Sequence, residues 1–161
     1  MNERLHAVQV LGQSIWLDYI RRAMLSSGEL PALIAAGITG VTSNPSIFEK
    51  AITGSADYDS ALKNLVEQEF DPPSVYERLA IEDITATADL LRPIYERSDG
   101  QDGFVSLEVR PALARDTTGT IFEARRLFEA IDRPNVMIKV PGTPEGFPAI
   151  ETLIAEGINI N

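Results

Sequence analysis

The sequence has no cysteine and a single histidine, His6, close to its start. The first absence excludes disulfides and thiolate chemistry and fits a reducing compartment. The second leaves little room for a histidine metal site or a histidine-based catalytic triad. Basic residues are also scarce: 14 Lys and Arg stand against 24 Asp and Glu, a formal net charge of -10. Nucleic acid and anionic membrane surfaces both need clustered positive charge, so neither is an expected partner. No apolar run reaches the length of a membrane span. The opening residues, Met1 to His6, carry an acid and lack the apolar stretch of a signal peptide. The expectation is a soluble, cytoplasmic protein.

What remains is enough to build one core, since 44% of the 161 residues are hydrophobic. Periodicity predicts strands at Ser14–Asp18, Ile38–Asn44, Phe104–Val109 and Asn135–Val140, with a fifth beginning at Ile158–Asn161. Between them the spacing predicts helices at Arg4–Leu11, Tyr19–Leu25, Glu29–Ala36, Ser46–Ala51 and Asp116–Ile131, and a last one at Phe147–Ala155. Ser55–Arg97 is mostly helical with a break at Phe70–Pro73. Tyr58, Leu62, Leu65 and Val66 form one apolar stripe there, and Val75, Leu79, Ile84, Ala88, Leu91 and Tyr95 another. All of these are expected in the core.

Strands alternating with helices require a parallel sheet with crossover connections. The sheet is either open and doubly wound or closed into a barrel. Four successive strands carry a polar group near the C-terminal end: Asp18, Asn44, Glu108 and Lys139. Barrel active sites are assembled from several strand ends in this way, whereas no Gly-rich dinucleotide fingerprint follows any strand. The expected fold is therefore a parallel (β/α)8 TIM-type barrel, of which residues 1–161 hold roughly the first half.

Lys139 is the residue that asks for chemistry. It shares a strand face with Met137, opposite Val136, Ile138 and Val140, so its amine points towards whatever the sheet encloses. A partly desolvated amine is less readily charged and can attack a carbonyl. With two carboxylates and an amide at the same rim, the set suits imine chemistry without a metal or cofactor, because a protonated imine is its own electron sink. A metal at Asp18 and Glu108 is disfavoured by the neighbouring cation. Each residue also has an ordinary reading: Lys139 reaching solvent, Asp18 as a helix cap, Asn44 as the turn residue before Pro45, Glu108 as a partner for Arg110 or Arg115.

Gly40-Val41-Thr42-Ser43-Asn44-Pro45-Ser46-Ile47-Phe48 resembles the asparagine signature of transaldolases, and Met137-Ile138-Lys139-Val140-Pro141 resembles their Schiff-base lysine strand. Trp16-Leu17-Asp18, Ser106-Leu107-Glu108-Val109 and Gly157-Ile158-Asn159-Ile160-Asn161 extend the likeness over essentially the whole chain. The resemblance implies transfer of a dihydroxyacetone unit from a ketose phosphate such as sedoheptulose 7-phosphate to an aldose phosphate such as glyceraldehyde 3-phosphate, in the pentose phosphate pathway. It implies Lys139 as the imine-forming amine, Asp18 as the group that takes the proton from the cleaved carbinol, and Glu108 as a proton shuttle acting through water. Asn44 and Asn161 match positions that hydrogen-bond the bound unit, with Thr42 beside them.

Transaldolases continue past this length, and their later strands supply a threonine that holds the catalytic water and a serine and arginine that bind the substrate phosphate. On this reading the chain is the N-terminal half of one catalytic barrel, ending as the fifth strand starts. The alternatives are a related Schiff-base aldolase and a half-barrel that only binds or assembles. Left alone, the half is expected to self-associate through its open sheet edges and to lack transferase activity.

Overall fold

Short strands separated by helices run the length of the chain, and the computed structural model describes residues 2–68 and 70–161. Helix α1 (Glu3–Val10) precedes strand β1 (Trp16–Leu17), and α2 (Arg22–Ser26) and α3 (Glu29–Ala36) lead to β2 (Gly40–Thr42). Helix α4 (Pro45–Thr53), a 3-10 turn at Ala56–Tyr58, α5 (Asp59–Glu67) and the long α6 (Pro72–Arg97) separate β2 from β3 (Val105–Glu108). A second 3-10 turn (Pro111–Leu113) and α7 (Thr117–Ile131) lead to β4 (Val136–Lys139), which is followed by α8 (Gly146–Ala155).

Local chemistry explains where the helices begin and end. The side chains of Asn2, Asn44, Asp71 and Asp116 accept the first free N–H groups of α1, α4, α6 and α7, and such caps are each worth about 1 kcal/mol. Pro45 and Pro72 occupy the first helical positions of α4 and α6, where no N–H is needed. Gly157 leaves α8 with φ +82, a left-handed turn that strains any residue with a Cβ. That turn aims residues 158–161 back along the sheet.

All four strands are parallel and lie in the order β1-β2-β3-β4. Ile138 N–H donates to the Asn159 carbonyl at 2.9 Å, Asn161 N–H donates to the Ile138 carbonyl at 3.0 Å, and Val140 N–H donates to the Asn161 carbonyl at 3.1 Å. A fifth strand thus starts beside β4. A doubly wound sheet reverses direction at a switch point, and this one does not. The strictly sequential order is that of the first half of a (β/α)8 barrel.

The two faces of the sheet differ. Val41, Val105, Leu107, Val109, Val136, Ile138 and Val140 are buried under the helices, against Ile84, Ala88 and Leu91 of α6, Ala124, Leu127 and Ile131 of α7, and Leu153 of α8. Each such side chain contributes roughly 1.5–3 kcal/mol. The concave face carries Trp16, Thr42, Phe104 and Met137, all only partly buried. Gly40 is required on this face, because a Cβ there would lie 2.4 Å from the Trp16 indole.

The expected core residues Val75, Leu79, Ile84, Ala88 and Leu91 are buried, and Tyr95 is half-buried with its ring edge-on to Phe104 at 5.3 Å. Val66 is a correction: Leu65 takes the inward position on α5 and Val66 is 64% exposed. Strands β1 and β2 are shorter than their hydrophobic patterns, and α2 starts at Arg22 rather than Tyr19. Among the described residues no helix is long and apolar enough to cross a membrane.

Candidate active site

The β3–β4 ladder sets Glu108 directly beside Lys139. Their side chains meet on the concave face with Lys139 Nζ 3.4 Å from Glu108 Oε2, and each is about a quarter exposed (25% and 24%). The same Nζ donates to the Ser43 carbonyl at 3.1 Å. Lys139 is therefore turned inward, as the alternation along β4 predicts, and is held by a carboxylate and a backbone oxygen rather than reaching freely into water. Removed from bulk solvent, such a pair interacts more strongly than an exposed one.

One step down the concave face lies a second set of contacts. Thr42 and Met137 flank Ser106 in the strand register. The Asn161 amide donates to Ser106 Oγ at 2.8 Å, and the Ser43 hydroxyl donates to the Ser106 carbonyl at 2.8 Å. Ser106 and Ser43 are fully buried. Thr42, Ser106, Glu108, Lys139 and Asn161 thus form a continuous polar strip from β2 to the fifth strand.

Asn44 keeps its ordinary role and has capacity to spare. Its Oδ1 accepts from Ile47 N–H at 3.0 Å and so caps α4, while among the described residues no hydrogen bond engages its Nδ2. Asp18 stands apart. It is exposed just beyond β1, three strand spacings from Lys139, or about 14 Å measured along the sheet. It does not cap α2, whose N-cap is Arg21 with no side-chain bond. Residues 18–21 form no regular structure.

The ordinary reading of Glu108, as a partner for Arg110 or Arg115, is not found among the described residues. Arg110 forks instead onto Glu123 of α7, at 2.8 and 2.9 Å, which leaves Glu108 to the lysine. A cavity of about 230 Å³ opens beside Glu108, walled by Pro45, Tyr76, Leu107 and Leu127 among others. Burial pushes the Tyr76 phenol up to about 12, and the negative charges of Glu108 and Glu49 add to the shift. Tyr76 is therefore a neutral neighbour of the carboxylate at ordinary pH.

Sequence reasoning did not single out Ser106 or the Ser43 carbonyl. A serine two residues before Glu108 on the same strand face was the available signal for the first. A backbone oxygen carries no signal in its side chain. Among the described residues no group of three or more His, Asp or Glu side chains is placed to hold a metal ion. The arrangement offers an amine next to a proton carrier, with hydroxyl and amide donors alongside on the concave face. That is the equipment for reversible imine formation with a carbonyl compound.

The family described as transaldolase/fructose-6-phosphate aldolase matches residues 15–161. The transaldolase of Thiobacillus denitrificans is 54% identical over 155 residues, which is 96% of this chain and 43% of that protein. Transaldolase 2 of Nostoc punctiforme is 50% identical over 96% of the chain and 41% of its own length. The transaldolase of Neisseria gonorrhoeae is 48% identical over 98% of the chain and 45% of its own length. The chain spans less than half the length of these curated relatives.

Proposed function

The chain belongs to the transaldolase/fructose-6-phosphate aldolase family, and from that premise we propose that it carries the imine-forming part of a transaldolase site. Lys139 Nζ attacks the carbonyl carbon of a ketose phosphate. The carbinolamine that results loses water to give the protonated imine, whose nitrogen can accept an electron pair. Glu108, 3.4 Å from that amine, takes the proton that the attacking amine gives up and returns it to the departing hydroxyl, either directly or through a water. Asp18 then accepts the proton of the hydroxyl next to the scissile bond. The carbon–carbon bond breaks, the aldose phosphate leaves, and the electron pair stays on the lysine adduct as an enamine. Addition of that enamine to an acceptor aldehyde and hydrolysis of the new imine complete the transfer. Thr42, Asn44 and Asn161 are the donors and acceptors for the three-carbon unit.

The observation that carries this reading is the position of Lys139, on the concave face of an otherwise apolar strand and between Glu108 and the Ser43 carbonyl. The names of the relatives favour transfer over simple aldol cleavage. Turnover of a ketose phosphate by the full-length gene product, with and without an acceptor aldose phosphate, tests it. Sustained turnover is expected only with the acceptor. Equal turnover in its absence would make the protein an aldolase, and no turnover in either case would leave a binding module.

A further inference from the structure

Two carboxylates lie deep in the helical layer, away from the polar strip: Asp83 on α6 and Glu123 on α7. Neither has a part in the chemistry above. Asp83 is 2% exposed, and its contacts converge on one residue. Arg22 Nε donates to Asp83 Oδ1 at 2.8 Å. The Tyr58 hydroxyl donates to Asp83 Oδ2 at 2.7 Å and accepts the backbone N–H of Arg22 at 3.1 Å. The Arg22 guanidinium also donates to Glu82 at 2.8 Å and lies 4.8 Å from the centre of the Tyr58 ring. Asp83 and Tyr58 therefore hold both the side chain and the backbone of Arg22.

Arg22 opens α2, and α2 needs the help. It has five residues and no side-chain N-cap, too few to hold a helix by itself. The Tyr58 hydroxyl supplies the missing cap from 36 residues away. Four positions before Arg22 is Asp18, exposed and, among the described residues, without a hydrogen bond or ion pair of its own. Ile20, between them, is 2% exposed in the core. The irregular loop that carries Asp18 is thus held between the β1 ladder, which ends at Leu17, and the anchors at Ile20 and Arg22. With Asp83 buried and Arg22 22% exposed, an ion pair of this kind is weak evidence of stability by itself.

We propose that Asp83 and Tyr58 are positioning residues for Asp18, aiming it through Arg22, so that carbon–carbon cleavage depends on them and imine formation does not. This rests on the reading of Asp18 as the group that takes the carbinol proton. In the full-length gene product, Tyr58→Phe and Asp83→Asn are compared with the parent in two assays: borohydride trapping of the imine and release of the aldose product. Release is expected to slow on the order of 10- to 100-fold, while trapping stays within about twofold. Tyr58→Phe removes one oxygen and keeps the ring, so it remains informative if Asp83→Asn fails to fold.

A merely structural cluster would depress trapping and release together, and that result overturns the proposal. So does release within about twofold of the parent in the variants that fold. Asp18→Ala, run in parallel, separates the two levels of the argument. If it blocks release and spares trapping while Tyr58→Phe changes nothing, only the positioning role fails. If Asp18→Ala releases product at the parent rate, the reading of Asp18 fails and the positioning role fails with it.

Discussion

The convex and concave faces of the same four strands divide the labour of the molecule. On the convex side every inward residue of β3 and β4 is aliphatic and sealed beneath α6, α7 and α8. On the concave side the next residue along each strand is a hydroxyl, a carboxylate, an amine or a half-open apolar group. Because strand residues alternate, Ile138 and Lys139 are neighbours in sequence and yet serve opposite ends. Stability and chemistry are therefore separable by single substitutions one position apart. Damage to one face should leave the other working.

The largest stability effect is expected from Ile138→Ala, at about 2–5 kcal/mol, since Ile138 is fully buried between strand and helices. Urea unfolding measures it, and borohydride trapping below the new transition should be unchanged. A loss of trapping in protein that is still folded would break the division. Gly40→Ala comes next, at about 1–3 kcal/mol, because its Cβ would enter the Trp16 ring and force the indole off β2. Here the cost arises on the concave face, so Trp16 fluorescence should change along with stability.

A smaller effect distinguishes the two buried carboxylates. Burial pushes Glu123 up, but hydrogen bonds from Arg110 and Arg126 outweigh it and hold the carboxyl below the usual range. A folded value below the unfolded one adds stability above the ordinary carboxylate range, and that stability is lost as pH falls through the depressed value. Glu123→Gln should thus lose stability at neutral pH and flatten the acid limb of a stability–pH curve. Asp83 has the opposite sign: burial outweighs the bonds from Tyr58 and Arg22 and raises its carboxyl. The folded chain takes up that proton before the unfolded chain does, which favours folding as pH falls. Asp83→Asn should therefore steepen the same limb. Matching slopes for the two variants would contradict these assignments.

Much of this division could be read in the amino-acid order, and the parts that could not have a common cause. Helix α3 falls at Glu29–Ala36, as its apolar spacing and the following Gly37 indicate. The inward turn of Lys139 follows from alternation between Pro134 and Pro141. Contacts that depend on distant register were not legible. Ser106 meets Asn161 across 55 residues, and Lys139 meets the Ser43 carbonyl across 96. Arg110, a candidate partner for Glu108 in the sequence, is taken instead by Glu123 of α7, 13 residues on. The start of α2 was misplaced for the same reason, since Tyr58 and Asp83 set it from outside the segment. Val66 shows the remaining limit: Leu65 and Val66 both suit a helical stripe, and only packing against α6 chose Leu65.

The central claim is that Lys139 is the amine that holds the substrate carbon. Borohydride reduction of the full-length gene product with a ketose phosphate, followed by peptide mass mapping, tests it most directly. The account predicts one added three-carbon unit on Lys139 and none in Lys139→Met. An adduct on another lysine, with Lys139 unmodified, would contradict it.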